Sequence, residues 1–154
     1  MLFKDEYEFL SNHYPSKILH RGTFWLTVEH AYQAAKCKDL ELEEEIRKTS
    51  SPKEAKRIGK RVQLREDWEE IKVDIMTDLV LCKFTQYEDL RTRLLATGDQ
   101  HLVETNFWHD NFWGDCVCRK CVDFLGKNIL GIILMEIRDF WRGERDAREQ
   151  SKYC

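Results

Sequence analysis

Three polar side chains that could take part in catalysis recur at helical spacing in the segment that begins at Val28. They are Glu29, Gln33 and Lys36. On an α-helix they fall within about 60° of one another. A carboxylate, an amide and an amine on one stripe suit proton transfer and the orientation of a sugar. The alternative is a solvated helix face that carries a Glu–Lys pair.

A second stretch, His109-Asp110-Asn111-Phe112-Trp113-Gly114, places an acid beside two aromatic rings. Rings stack on bases while a carboxylate accepts hydrogen bonds from hydroxyl groups, so this stretch suits a sugar-and-base site. The competing interpretation is an Asx-type turn whose two rings belong to the core.

A third stretch, Gly126-Lys127-Asn128-Ile129-Leu130-Gly131, is a glycine-containing turn that opens a helix. A helix N-terminus binds phosphate through its backbone N–H groups, and Lys127 would add positive charge. The glycine spacing matches neither a Walker motif nor a dinucleotide-binding fingerprint.

Cys116-x-Cys118-x-x-Cys121 offers three closely spaced thiols. A tetrahedral zinc site needs four ligands, and no spacing rule chooses among Asp115, His109 and Cys154 for the fourth. Free thiols, a structural zinc site and a redox role all remain open. The single histidines His13, His20 and His101 are interpreted as surface or structural residues.

The composition indicates an ordinary globular protein. The chain has 154 residues, 42% of them hydrophobic, which is enough for one domain with its own core. A net charge of -3 argues against broad non-specific binding of nucleic acid, although a local basic pocket for phosphate is compatible with it. With no signal peptide and no apolar run of membrane-spanning length, we expect a cytoplasmic protein without membrane contact.

Cap residues and hydrophobic spacing predict the elements that position these stretches. In the first half we expect a hairpin around Arg21-Gly22 and helices at 28–38, 40–48, from Pro52 and from Trp68. In the second half we expect a helix at 88–95, a strand at 102–104, an irregular segment at 105–128, and a last helix capped by Asn128. The predicted fold is a mainly helical α+β single domain with a few short strands. It spans residues 1–142, and a charged tail, 143–154, is expected to fray.

Several motifs in this order resemble the NADAR family. They are Phe9-Leu10-Ser11-Asn12, Trp25-x-Thr27-x-Glu29-His30-x-x-Gln33-Ala34-x-Lys36, Ser51-Pro52-x-x-Ala55-x-Arg57-x-Gly59, Trp68-Glu69-x-x-Lys72-x-x-Ile75-Met76, Lys83-Phe84, Leu94-Leu95-Ala96-Thr97-Gly98-Asp99, Leu102-Val103-Glu104, Asp110-x-x-Trp113-Gly114, Gly126-x-Asn128-x-Leu130-Gly131 and Leu134-Met135-x-Ile137-Arg138. The resemblance covers about residues 5–141. The sequence departs from the family in two places. Leu26 stands where the family often has proline, and the cysteine-rich 116–121 segment takes the place of a Gly/Lys-rich loop of some members.

The resemblance implies a compact, mostly helical α+β fold and hydrolysis at C1′ of a ribose attached to nitrogen. Two substrate classes are known in such proteins: ADP-ribose on guanine in nucleic acid, and phosphorylated ribosylamino-pyrimidine intermediates of riboflavin synthesis. We expect the first class, with the second as the alternative. A nucleotide-binding module without turnover is a further alternative, and a zinc-dependent interaction domain ranks last. The oligomeric state stays open.

With that reaction, Glu29 becomes the expected general acid or base. Lys36 is expected near it, able to form an imine with a ring-opened sugar if its pKa is lowered. Asp110 is the second carboxylate, and no cofactor is required for catalysis. The expected substrate-binding residues are Asn12, Trp25, His30, Gln33, Trp113, Gly114, Lys127 and Asn128.

Overall fold

The computed structural model describes residues 3–152. Its elements, after a 3-10 helix at Asp5–Leu10, are strands β1 (Ile18–His20), β2 (Thr23–Trp25), β3 (Thr105–Asn106) and β4 (Asp115–Cys116), and helices α1 (Val28–Ala35), α2 (Leu40–Lys48), α3 (Pro52–Gly59), α4 (Trp68–Gln86), α5 (Glu88–Ala96) and α6 (Ile129–Ser151). The predicted mainly helical fold with a few short strands is confirmed. The chain forms two compact units, residues 11–87 and residues 3–10 with 88–152.

The 11–87 unit opens with the predicted hairpin. β1 and β2 pair antiparallel, with Ile18 opposite Trp25 and His20 opposite Thr23. The two turn residues, Arg21 and Gly22, have φ values of 50° and 80°. Two left-handed residues form the tight turn whose twist matches that of the flanking strands.

Helix α1 begins where its cap predicts but ends earlier than expected. The side chain of Thr27 accepts a hydrogen bond from the His30 N–H, and the last helical residue is Ala35 rather than Lys38. The Cys37 N–H turns back to the Ala34 carbonyl, and Cys37 then forms an isolated antiparallel bridge with Leu64. This extended pairing competes with another helical turn, which periodicity alone does not reveal.

Helices α2, α3 and α4 follow the predicted starts, and the core of this unit lies among them. Asp39 and Ser51 cap α2 and α3 through their side chains, with Pro52 in the first turn of α3. Fully or almost fully buried side chains form the core: Val28, Ile46, Ile58, Leu79, Val80 and Phe84.

The other unit combines α5 and α6 with a short parallel pair, β3 and β4. The strand predicted at 102–104 is wrong, because pairing occurs at Thr105–Asn106 instead. The Leu102 carbonyl and the Glu104 N–H bond to the side-chain amide of Asn128. That amide satisfies the backbone groups a strand partner would otherwise use.

The final helix is longer than expected. We predicted a frayed tail after residue 142, but α6 continues to Ser151. Gly143 lies within it, and its position has open space around it. The many charged residues beyond Gly143 are exposed on the helix, so polarity alone was a poor sign of where the helix ends. Within residues 3–152, no helix is both long and apolar enough to cross a membrane.

Candidate active site

Glu29 is a buried carboxylate in the first turns of α1. Its residue is only 6% exposed, and the Gln33 side-chain amide donates a 2.7 Å hydrogen bond to its Oε1. Gln33 is itself buried. The interpretation of this stripe as a solvated helix face is therefore wrong. An acid so far from water must have a specific environment, because burying a charge without partners is costly.

Gly59 leaves space for the Gln33 side chain. A Cβ added at Gly59 would lie 1.9 Å from Gln33 Oε1 and 2.8 Å from its Cδ. Only a residue without a side chain lets α3 approach Gln33 this closely. Gln33 Oε1 is buried against Gly59 and has no hydrogen-bond partner among the described residues.

The loop before the hairpin brings a histidine to the same carboxylate. His13 Nε2 lies 3.7 Å from Glu29 Oε2, and the Asn12 carbonyl accepts a hydrogen bond from the Glu29 N–H at 3.1 Å. Sequence reasoning missed His13 because a lone histidine in a loop carries no pattern. The Asn12 side chain, expected to bind substrate, donates to Met76 Sδ at 3.4 Å.

Lys83 anchors this loop. It is 1% exposed, and its Nζ donates to the Ser11 carbonyl at 2.9 Å. The ammonium also lies 5.5 Å from the Tyr14 ring centroid. Lys83 therefore acts on the site by positioning the loop that carries Asn12 and His13, although its motif gave no hint of this role.

Lysine side chains act on the two titratable groups that interact with the Glu29 carboxylate, Lys36 and His13. Burial lowers the pKa of Lys36, against the attraction of Glu29, and Lys56 and Lys60 lower it further. Burial also lowers the pKa of His13, again opposed by Glu29, while Lys56 and Lys53 add to the decrease. Lys56 on α3 thus acts on both groups, and both groups interact electrostatically with the Glu29 carboxylate.

His30, expected to bind substrate, is held by two hydrogen bonds within the protein. It is fully buried, and its Nε2 and Nδ1 lie 2.9 Å from the Thr49 carbonyl oxygen and 2.8 Å from Thr27 Oγ1. A carbonyl only accepts, so Nε2 carries the hydrogen and Nδ1 accepts from the Thr27 hydroxyl. Both nitrogens are used within the protein, so His30 helps to position α1, and its contact with substrate stays a prediction.

In the other unit, Asp110 forms an Asx-type turn, which was the alternative to a sugar-and-base site for this stretch. Its Oδ1 accepts hydrogen bonds from the N–H groups of Phe112 and Trp113, at 3.0 and 2.9 Å. The rings of these residues meet edge to face, with centroids 4.9 Å apart. One carboxylate oxygen of Asp110 is therefore committed to shaping the loop.

The start of α6 does not offer the expected phosphate site. The N–H groups of residues 127–130 all donate to carbonyls of the 111–114 loop. Asn128 adopts a left-handed conformation and makes no side-chain cap, because its amide bonds to residues 102 and 104. A Cβ on Gly114 would lie 2.2 Å from the Glu104 carbonyl oxygen. Asn128 and Gly114 thus have structural roles in this loop, and their contact with substrate stays a prediction.

One group of side chains could hold a metal ion. The ligand atoms of His109, Cys116, Cys118 and Cys121 all lie within 4.8 Å of one another. Spacing had left the fourth ligand undecided, and the structure brings His109 to the three thiols.

Comparison with known proteins decides the family. Residues 2–142 match the NADAR domain. The chain belongs to the NADAR family. It is 41% identical over 137 residues to the N-glycosidase YbiA of Shigella flexneri, which covers 88% of this chain and 82% of that protein. It is also 39% identical over 137 residues to a riboflavin biosynthesis protein of Vibrio vulnificus, covering 88% of this chain and 36% of that protein.

A solved structure agrees with this assignment. The NMR structure of Escherichia coli YbiA matches with a TM-score of 0.81 and 38% identity, covering 94% of this chain and 84% of that one. The NADAR fold inferred from the motifs is thus confirmed. The family relationship also makes this NADAR chain an enzyme, a hydrolase of the glycosidase class.

Within this NADAR domain, the predicted residues separate into groups. Glu29, Gln33 and Lys36 come together, and His13 joins them. Trp25 is buried and lines a cleft with Ala31 and Ala34, on the opposite face of α1 from Glu29, so the structure does not bring it to the carboxylate. Trp113 and Lys127 lie in the other unit, with the Lys127 ammonium 5.5 Å from the Phe112 ring centroid.

Proposed function

We propose that this protein hydrolyses the N-glycosidic bond of a phosphorylated ribose, with Glu29 as the general acid or base. One observation carries the proposal: Glu29 is only 6% exposed, and its carboxylate is oriented by Gln33 and faces an imidazole 3.7 Å away. A buried acid with fixed neighbours acts more strongly on a developing charge than a solvated one.

The reaction requires three events at C1′. The C1′–N bond breaks with its electron pair leaving on nitrogen, the sugar passes through an oxocarbenium-like state, and water supplies a hydroxyl to C1′. The departing nitrogen takes up a proton. The ionised Glu29 can remove the proton from water, and the protonated form can deliver one to the leaving group. No cofactor enters this scheme.

The lysines give the proposed site its affinity for phosphate. Lys53 and Lys56 act electrostatically on His13, which lies beside Glu29, since both lysines lower its pKa. Ammonium groups near a reacting carboxylate suit a substrate that carries its negative charge a few bonds from C1′. ADP-ribose attached to guanine and the phosphorylated ribosylamino-pyrimidines both meet this description.

We propose ADP-ribose attached to guanine in nucleic acid as the first substrate. Several ammonium groups match the two phosphates of ADP-ribose better than a single phosphate requires. The net charge of -3 favours local recognition of one modified nucleotide over extended contact with a nucleic-acid backbone.

A second substrate class is favoured by one relative. The Vibrio vulnificus protein that shares 39% identity with this chain is a riboflavin biosynthesis protein. We therefore propose phosphorylated ribosylamino-pyrimidines as the alternative substrates. Their hydrolysis uses the same atoms around C1′, so only the groups that recognise the base would differ.

Lys36 supports a variant of the mechanism. Its lowered pKa enriches the neutral amine. That amine can add to C1′ of a ring-opened glycosylamine, expel the base as a free amine and form an imine, which water then hydrolyses to regenerate lysine. Borohydride should reduce such an imine to a stable adduct on Lys36 in an active enzyme. An active enzyme that gives no adduct would exclude this route and leave direct hydrolysis.

The deciding experiment incubates the purified protein with guanine-ADP-ribosylated DNA and, separately, with a ribosylamino-pyrimidine phosphate. Mass spectrometry identifies the released base and sugar, and Glu29→Gln is the matched control. Release from the DNA supports the first substrate, and release from the pyrimidine alone supports the second. Binding without release, or inactivity on both by a folded protein, would contradict the proposed reaction on these substrates.

A further inference from the structure

The four-residue cluster, defined as His109, Cys116, Cys118 and Cys121, has the dimensions of a metal site. Its ligand atoms lie within 4.8 Å of one another. In a tetrahedral zinc site with Zn–S bonds of about 2.3 Å, two ligand atoms lie about 3.8 Å apart. Small rotations of the side chains would therefore suffice to close the cluster around an ion.

The imidazole is placed as a ligand rather than as an ordinary hydrogen-bonding group. His109 Nδ1 lies 3.3 Å from Cys118 Sγ and 3.3 Å from Cys121 Sγ. A single ring nitrogen has one hydrogen or one lone pair to offer, so it cannot satisfy both sulfurs equally well. One nitrogen and several sulfurs around a common centre are, in contrast, an ordinary zinc shell.

The backbone holds these ligands from three sides. A turn brings Cys118 and Cys121 together, with the Cys121 N–H bonded to the Cys118 carbonyl at 3.0 Å. The His109 N–H lies 3.3 Å from Cys116 Sγ, and the Cys116 N–H donates to Asn111 Oδ1 at 2.9 Å. Such contacts around ligands fix their orientation and tune a metal site.

The other candidates for a fourth ligand have different positions. Asp115 Oδ1 accepts the Gly126 N–H at 2.8 Å, which commits that oxygen to the loop. Cys154 lies outside the described residues. His109 is thus the residue that geometry selects, which spacing in the sequence could not do.

We propose that the cluster binds one zinc ion through His109 Nδ1 and the three cysteine thiolates. Three soft thiolates and one imidazole match zinc better than magnesium or calcium, which prefer oxygen ligands. Four protein ligands fill the coordination shell and leave no position for substrate. The site is therefore structural and takes no part in the hydrolysis proposed above.

The loop around the cluster explains what the zinc would stabilise. Val122, Phe124 and Leu125 are apolar but 64%, 68% and 93% exposed. Burial of these side chains therefore contributes little to the order of residues 117–125. A zinc ion would join this loop to β4 and to the loop of His109, which also contains Asp110 and Trp113.

The test measures zinc in the full chain, purified under reducing conditions from zinc-supplemented medium. We expect about one zinc per chain by elemental analysis after dialysis, because four-ligand structural sites bind tightly. Replacement by cobalt should give thiolate-to-metal absorption and the visible bands of tetrahedral cobalt. Cys118→Ser and His109→Ala should abolish both signals, whereas Cys82→Ser, on α4, should leave them unchanged.

Two results would show that the cluster does not bind zinc. One is wild-type protein that retains no more zinc than Cys118→Ser. The other is bound cobalt without thiolate absorption. Because a variant can lose metal by unfolding, a competing chromophoric chelator is also titrated against folded wild-type protein. Transfer of the zinc with no change in the thermal unfolding temperature would contradict its structural role. None of these measurements uses glycosidase activity, so their outcome is independent of the proposed reaction.

Discussion

The side-chain amide of Gln33 donates a 2.7 Å hydrogen bond to Oε1 of Glu29, one turn earlier on α1. The amide must present its NH2 group to the carboxylate, so its oxygen points the other way, toward Gly59. The orientation of the proposed catalytic acid thus depends on a glycine in a different helix.

Glu29→Gln should abolish most activity while preserving the fold. The new carbonyl can still accept the hydrogen bond from Gln33, but the side chain no longer exchanges a proton. We expect turnover to fall by about 10²- to 10⁴-fold. Steady-state kinetics with the identified substrate, together with thermal unfolding, measures both effects. Glu41→Gln, at an exposed carboxylate on α2, is the control, and equal turnover in Glu29→Gln and wild type would exclude Glu29.

Gly59→Ala should lower turnover by displacing the Gln33 carboxamide. The added Cβ would lie 1.9 Å from Oε1, a distance that only movement of Gln33 can relieve. We expect a decrease in kcat on the order of 10- to 100-fold with a smaller change in KM. Gly143→Ala, where nothing lies within 4 Å of the new Cβ, should leave kinetics unchanged and stabilise α6 by about 0.5–1 kcal/mol. Equal kinetics in both variants would contradict the role of Gly59.

Lys56→Gln should weaken binding of the phosphorylated substrate and raise the pKa of His13. The lysine now lowers that pKa, after the larger effect of burial, because two nearby positive charges repel. We expect KM to rise about tenfold, the loss of one charge-assisted contact. NMR titration of the His13 ring gives a readout independent of catalysis. Lys48→Gln, on α2, is the control. An unchanged His13 pKa would show that Lys56 does not act on this site.

The free energy of unfolding should decrease as pH falls below about 6.5. Burial lowers the pKa values of His13, His20 and His30, so the unfolded chain binds more protons than the native one in this range. The stability linked to these groups is fully present above pH 6.5 and is lost as pH falls through their folded-state pKa values. Urea unfolding at several values between pH 8 and pH 5.5 tests this. His20→Gln should make the dependence shallower, and a midpoint that rises toward acid would refute the expectation.

The sequence determined the local structure where a residue acts on its neighbours along the chain, as a helix cap or in a tight turn. Thr27 and Ser51 placed the starts of α1 and α3, and Arg21-Gly22 placed the hairpin turn. The family motifs identified the fold and the enzyme class. The stripe of Glu29, Gln33 and Lys36 also followed from spacing, because one helix fixes the relative directions of its own side chains.

Only the tertiary structure decided what these side chains face. His13 meets Glu29 because Lys83 and the Glu29 N–H hold its loop, and these contacts join residues far apart in sequence. Asn128 looked like a helix cap, yet its amide bonds to residues 102 and 104. His109 joins three cysteines through a folded loop rather than through spacing. The local sequence determines which side-chain groups lie on one face of an element. Packing between distant segments determines which partners those groups contact.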